Sequence, residues 1–252
     1  MALELARRGY HVVGAGRSAE RVGTTIDEIV AAGGSAEGLI IDLASLASVK
    51  DGAAEYVASG RGLDVLVNNA GVGVARATTE DEFEIQFGVN HLGHFMLTRQ
   101  LQPTFHGGSR IVQVSSNMHY RASGIDFDRV EARTRSRFGV EEYSTSKLAN
   151  VLFVMEASRR YPDLRFYAVH PGLVDTGIFP WYARPFIRGR ITPEQGADTV
   201  VWCATDPSLA ESSGSYFDNR RERLPSKTAL DDSLASELWE RSEEWCGVVA
   251  GG

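Results

Sequence analysis

The chain begins MALELARRGYHVVGAGRS (residues 1–18), and the register given to this stretch decides the fold. Gly14, Gly16 and Ala19 satisfy G-x-G-x-x-G/A, a strand-like run precedes them, a helical segment follows, and Asp42 comes roughly 20 residues on. On spacing alone this is either a dinucleotide-binding turn or an ordinary strand end passing into a helix. Two features weigh against the first. Arg17 and Glu20 put bulk where a diphosphate would lie, and ALELARRG reads as the last turns of a helix closed by Gly9. A helix ending there should itself follow a strand.

Outward from this stretch the chain alternates. Short, β-branched apolar runs at 10–15, 38–41, 63–67, 110–114 and 164–169 predict buried strands. Segments at 19–32, 45–59, 79–102 and 143–160 carry helical spacing. The alternation predicts right-handed crossovers and a doubly wound parallel sheet, read as one α/β domain over 1–252. Ligands of such folds bind beyond the carboxyl ends of the strands. GAGRS, Asp42-Leu43, NNAG (68–71) and SSNMH (115–119) are therefore the places to look.

Composition narrows the function. A formal net charge of −7 leaves no broad basic surface for nucleic acid. No stretch has the roughly 20 apolar residues of a membrane span. The two cysteines, Cys203 and Cys246, have no metal-ligand spacing, and a cytoplasmic location is the simplest expectation. His91 and His94 lack a third ligand at fitting spacing, so no metal is expected.

Tyr143 and Lys147, in YSTSK, stand at i and i+4 on one helix face, in a chain with 23 arginines but only three lysines. A buried Tyr beside a Lys on a solvated edge would give the same letters. The functional alternative is a carbonyl-reducing site, in which the phenol is the proton donor and the ammonium lowers its pKa towards neutrality. Ser115 and Ser116 could present a hydroxyl to a carbonyl oxygen or simply form a turn. Asn90, inside GVNHLGHFML, is either a helix kink or a group holding water in a proton path. The small residues of NNAG, and Pro171-Gly172 in HPGLVDT, suit backbone lying close to a ligand, or plain tight turns.

Taken in order, GRS with Arg17, Asp42-Leu43, Asn68-Asn69-Ala70-Gly71, Asn90, Ser115-Ser116, Tyr143-x-x-x-Lys147 and Pro171-Gly172 resemble the short-chain dehydrogenase/reductase family, in its retinol dehydrogenase-like branch. The endings SGSYFDNRRERLPS and LASELWERSEEW also look like that branch. The resemblance implies a Rossmann-like sheet and an oxidoreductase moving a hydride between a nicotinamide cofactor and an alcohol or carbonyl. Tyr143 would be the proton donor or acceptor, Lys147 would tune it and hold the nicotinamide ribose, Ser116 would orient the carbonyl, and Asn90 would support a water relay. Asp42, Leu43, Asn68, Ala70, Gly71, Pro171, Gly172 and Thr176 would line the cofactor. Arg17, with no acid before Glu20, favours NADP(H) over NAD(H). A lid at about 177–195 carries Phe179, Trp181, Tyr182 and Phe186, which implies a lipophilic substrate such as a retinoid, steroid, fatty or polycyclic compound, or mere packing of a lid helix. The helices bearing Asn90 and Tyr143 are, by resemblance, surfaces for a homodimer.

The family begins with a strand and a glycine-rich loop that holds the diphosphate at a helix N-terminus. MALELARRGYHVVGAGRS aligns instead with the end of the first helix and the second strand. The sheet is expected to be N-terminally incomplete, its first and central strand missing between those at 10–15 and 63–67. A truncated, catalytically silent relative that binds a partner, or nothing, is the alternative.

Overall fold

The computed structural model describes residues 1–73, 76–173 and 191–248. A short helix α1 (Ala2–Arg7) ends at Arg8 and Gly9, whose φ of +88° only glycine adopts without strain, and the chain enters β1 (His11–Gly16). Gly14 and Gly16 thus lie within a strand, and α2 (Ala19–Ala31) starts only after Ser18, whose hydroxyl accepts from the Arg21 N–H. Then come β2 (Ser35–Ile40), α3 (Leu46–Ala58) and β3 (Val65–Asn68). Two short helical pieces follow, α4 (Ile85–Phe87) and α5 (Gly93–Gln100), joined by a π-helical turn, Gly88–Leu92. β4 (Arg110–Val114), the single turn α6 (Phe127–Val130), the long α7 (Val140–Arg160) and β5 (Arg165–His170) complete the alternation.

The remaining elements are α8 (Pro193–Thr205), an antiparallel hairpin of β6 (Tyr216–Asp218) and β7 (Arg221–Arg223), and α9 (Asp232–Cys246). α8 opens with a capping box between Thr192 and Gln195 and has Pro193 in its first turn. The hairpin turns through Asn219 and Arg220, both at positive φ as a tight two-residue turn requires.

The sheet is not one continuous surface. β3, β4, β5, β6 and β7 form a five-stranded sheet in that order, while β1 and β2 pair only with each other. Both sets are parallel apart from the last hairpin. β1 and β3 each keep one lateral edge without a strand partner among the described residues. Burial follows from this. Ile111 and Val112 of β4 are fully buried, whereas Val65, Leu66 and Val67 of β3 are only partly so. The two sheets share one core nonetheless: Leu39 and Ile41, beside β2, pack with Val49 and Ala53 of α3, and the same cluster runs on through Leu92, Phe95, Leu148 and Trp239. Across the gap Met1 and Leu5 of α1 pack with the cluster that touches Val65 and Val67.

The expected helix over 79–102 is reduced and interrupted: regular helix begins at Ile85, after Glu84 caps the Gln86 and Phe87 N–H groups, and widens to a π-turn centred on Asn90. α9 covers α5 and α7. Trp239 stacks on Phe153 with ring centroids 5.8 Å apart and meets Phe95 edge-on at 5.0 Å.

Candidate active site

β3, β4 and β5 end at Asn68, Val114 and His170, and the residues just beyond these ends make the site. Helix α7 is fastened to the end of β4 by three bonds. The Ser115 hydroxyl donates to the Lys147 carbonyl (2.7 Å), and the Val114 carbonyl accepts from Lys147 Nζ (3.0 Å) and Asn150 Nδ2 (3.1 Å). The first serine of the pair is thereby spent on holding the helix. The second, Ser116, is left facing Tyr143, on whose phenol it acts as a hydrogen-bond partner. Lys147 Nζ lies 5.6 Å from the centre of the Tyr143 ring. The expected grouping of Ser116, Tyr143 and Lys147 is therefore present, and it is brought about by contacts more than thirty residues apart in sequence.

Asn90 joins the loop after β3 to α7. Its Oδ1 accepts from the Val72 N–H (2.8 Å), and its Nδ2 donates to the Val72 carbonyl (3.0 Å) and to Ser146 Oγ (3.0 Å). Both N–H donors and the oxygen of the amide take part in clamping the loop after β3 onto α7. Its carbonyl, released from regular helix bonding by the π-turn, accepts from His94 Nδ1 (3.0 Å). Asn90 stands at the centre of the π-turn Gly88–Leu92. Gly71 packs directly on this clamp: a Cβ there would stand 3.1 Å from Asn90 Oδ1.

Burial shifts the acid–base groups. It holds the Tyr143 phenol above its usual value, and the Ser116 hydrogen bond acts in the opposite direction. Lys147 is itself pulled down to about 8 because its ammonium sits away from water. His91 and His94 are pushed down to about 3 and about 4 by the same cause, so both are neutral core groups, and no cluster of metal-ligating residues exists among the described residues.

Arg17 is exposed just past β1 and has no ion pair among the described residues. Asp42 holds its own turn, Oδ1 accepting from the Ala44 N–H (2.9 Å), and Leu43 touches α5 where Gly93 leaves room for it. Asn68 donates to Thr98 and Gln113 and keeps a buried Oδ1 without a partner among the described residues. Gly172 has a φ of +84°, and a Cβ on it would collide with Ile191 Cδ1 at 2.5 Å. The Ile191 N–H also donates to the Leu173 carbonyl, pinning together the two ends of 174–190. Thr176, Phe179, Trp181, Tyr182 and Phe186 lie in that stretch, outside the described residues. A cavity of about 760 Å³ adjoins the first turns of α7, where Phe87, Ile125 and Val130 share the wall with Arg121, Arg133 and Glu142; Ser116, Tyr143 and Lys147 do not line it.

These groups fit one end of a dinucleotide. Lys147 uses one of its three N–H donors on Val114, leaving two for ribose hydroxyls, and the clamped 69–72 loop gives a closely approachable backbone. The diphosphate has no glycine-rich cradle among the described residues, since the glycines of GAGRS belong to β1. Two participants were not picked out from sequence. Ser146 was hidden inside YSTSK, and His119 inside SSNMH, where nothing local distinguishes them from spacers.

Comparison with known proteins agrees with this geometry. The short chain dehydrogenase family profile matches residues 1–125. Human retinol dehydrogenase 13 is 38% identical over 274 residues, covering 99% of this chain and 81% of that protein. Mouse polyprenol dehydrogenase is 38% identical over 272 residues, covering 99% and 80%. A crystal structure of a Mycobacterium paratuberculosis protein superposes with a TM-score of 0.79 at 32% identity, covering 98% of this chain and 87% of that one. A Burkholderia cenocepacia short chain dehydrogenase in complex with NADP shares the fold, with a TM-score of 0.68 at 23% identity over 86% and 88% of the two chains. With a matching sheet, a Ser116–Tyr143–Lys147 grouping at its carboxyl edge and this identity over nearly its whole length, the chain belongs to the short-chain dehydrogenase/reductase family of oxidoreductases.

Proposed function

We propose that this chain is the larger part of an NADP(H)-dependent oxidoreductase acting on a lipophilic alcohol or carbonyl of the retinol dehydrogenase type, completed by a strand preceding Met1 that inserts between β1 and β3. The observation that carries the reading is the fastening of α7 to the end of β4, which sets Tyr143 opposite Ser116 with Lys147 beneath it. When bound, the nicotinamide supplies or receives the hydride. Ser116 Oγ donates to the substrate oxygen and fixes its direction. Tyr143 delivers a proton to that oxygen in reduction and removes it in oxidation. The two free donors of Lys147 hold the ribose, and a bound cofactor places further polar groups around an ammonium that is otherwise poorly solvated. Arg17 favours a 2′-phosphate by charge, and similarity to retinol and polyprenol dehydrogenases favours a lipophilic body.

The unpaired edges of β1 and β3 support a parallel strand between them, because an unbonded buried peptide group costs about 1–3 kcal/mol. The coding sequence upstream of Met1 is the direct check: an apolar strand followed by T-G-x-x-x-G-x-G is expected, and an in-frame stop codon immediately before Met1 would reject it. The protein so completed should oxidise retinol or reduce retinal, or a comparable lipophilic pair, with NADP(H), and Tyr143→Phe should remove nearly all turnover while leaving NADPH affinity unchanged. Retained turnover in that variant would remove Tyr143 from the mechanism. The split sheet also admits a second reading for the 252-residue chain by itself, a silent binding protein; the upstream coding sequence separates the two, and tight NADPH binding by this chain alone would show that no further strand is needed.

A further inference from the structure

We infer that His119 is a positioning residue that sets the direction of Ser116 and couples it to the C-terminal strap at 224–226. This rests on the proposed role of Ser116 at the substrate oxygen. His119 sits in the single 3₁₀ turn Asn117–Arg121 after β4 and is completely buried. Its two partners allow only one tautomer. The Ser226 backbone N–H can only donate, so Nε2, 3.2 Å away, must be the unprotonated nitrogen. The Ser116 carbonyl can only accept, so Nδ1, 2.7 Å away, must carry the hydrogen. The same carbonyl also accepts from the His119 backbone N–H at 3.1 Å. Side chain and main chain of His119 together fix the peptide plane that follows Ser116, and with it the direction in which the Ser116 hydroxyl points.

The strap is held by consecutive side chains. Tyr120 Oη donates to the Leu224 carbonyl (2.6 Å), next to the bond from Ser226 to His119. The imidazole is packed against Tyr120 (centroids 4.0 Å apart) and, edge-on, against Tyr216 of β6 (4.7 Å). Leu224 is 77% exposed, so little apolar burial holds this part of the strap, and these polar contacts carry its docking. Besides its contact with the Tyr143 phenol, the Ser116 hydroxyl accepts from the Met118 N–H (3.2 Å) and donates to Asn117 Oδ1 (3.4 Å), both local. A serine so placed turns with its peptide plane, and misplacement of a reacting partner by about 1 Å can cost about 100-fold in rate.

Two substitutions separate positioning from space filling. In His119→Asn the side-chain amide nitrogen takes the place of Nδ1 and keeps the donor to Ser116, while the bond to Ser226 is lost. In His119→Gln the side-chain oxygen reaches the place of Nε2 and keeps Ser226, while Ser116 loses its donor. In the protein expressed from its full coding sequence, kcat is expected to fall on the order of 100-fold in the Gln variant with the KM for NADPH unchanged, and to stay within a few-fold of the parent in the Asn variant. Equal activity of the two variants, or a stronger loss in Asn than in Gln, would overturn the inference. Amide hydrogen exchange needs no turnover: protection should fall at 116–118 in Gln and at 224–228 in Asn, and the same pattern in both variants would refute the coupling. Imidazole ¹⁵N shifts of the unsubstituted protein should show the Nδ1–H tautomer, and an Nε2–H signal for His119 would refute it outright. If no form of the protein turns over substrate, the proposed function fails, and the exchange and ¹⁵N data still decide the role of His119.

Discussion

Replacing Lys147 by methionine is expected to make the folded chain more stable at neutral pH while removing the cation at the centre of the site. Lys147 is 4% exposed, and burial lowers its pKa from 10.5 to about 8. The unfolded chain therefore holds this proton more tightly than the folded one. Folding carries a penalty that is complete below about pH 8 and is relieved as pH rises from there to 10.5. From that interval the penalty is about 3 kcal/mol at pH 7 and about 1 kcal/mol at pH 9.5. Methionine gives up the bond from Nζ to the Val114 carbonyl, about 1 kcal/mol, but that carbonyl keeps its bond from Asn150 Nδ2 at 3.1 Å. The balance is a gain of about 2 kcal/mol at pH 7 that shrinks to almost nothing at pH 9.5. Urea unfolding of both proteins at the two pH values measures it, and groups common to the two proteins cancel in the difference. A methionine variant less stable at pH 7, or a difference independent of pH, would refute the argument. The expected result would identify Lys147 as a residue kept at a cost to stability, as functional groups commonly are.

Asn90→Ala should cost about 2 kcal/mol, because it strands the Val72 N–H and C=O while Ser146 Oγ keeps its bond to the Tyr143 carbonyl, and should lower the melting temperature by roughly 6 °C in calorimetry. Gly93→Ala should destabilise by about 1–3 kcal/mol, since the new Cβ would lie 2.7 Å from the Leu43 carbonyl oxygen and the backbone must move; denaturant titration reads this, and an unchanged midpoint would show that the 42–43 loop yields freely. Acid should unfold the chain early. His91 and His94, lowered from 6.5 to about 3 and about 4, contribute stability that is complete above pH 6.5 and is lost as pH falls towards those values. His119 and His170 are lowered in the same direction and add to the loss, so a urea midpoint that held steady from pH 7 to pH 5 would contradict it.

Much of the architecture was legible locally. The strand at 110–114 falls where the apolar run put it, and α2 and α3 end within a residue of their expected limits, because period and capping residues are properties of neighbouring positions. Spacing likewise brought Tyr143 and Lys147 to one helix face. The break at 79–102 was not legible, since Asn90 forms its π-turn in response to Val72 and Ser146, eighteen residues before it and fifty-six after. α8 carried its own start signal in Thr192, Pro193 and Gln195 and was overlooked beside the aromatic stretch before it.

What the sequence by itself determined was the strand–helix alternation from β1 to β5, the family resemblance and the list of groups able to do chemistry. What only the tertiary structure decided was how each group is used. Ser115 holds a helix while Ser116 faces the phenol, Asn90 clamps the loop after β3 onto α7, and burial raises the Tyr143 phenol. The physical reason is that periodicity and motif spacing are set by covalent neighbours, whereas hydrogen-bond partners and exposure to water are set by residues distant in the chain. The separation of β1 from β3 is of the second kind: each strand could be read from its own residues, but which edges are left unpaired appears only when the strands are assembled.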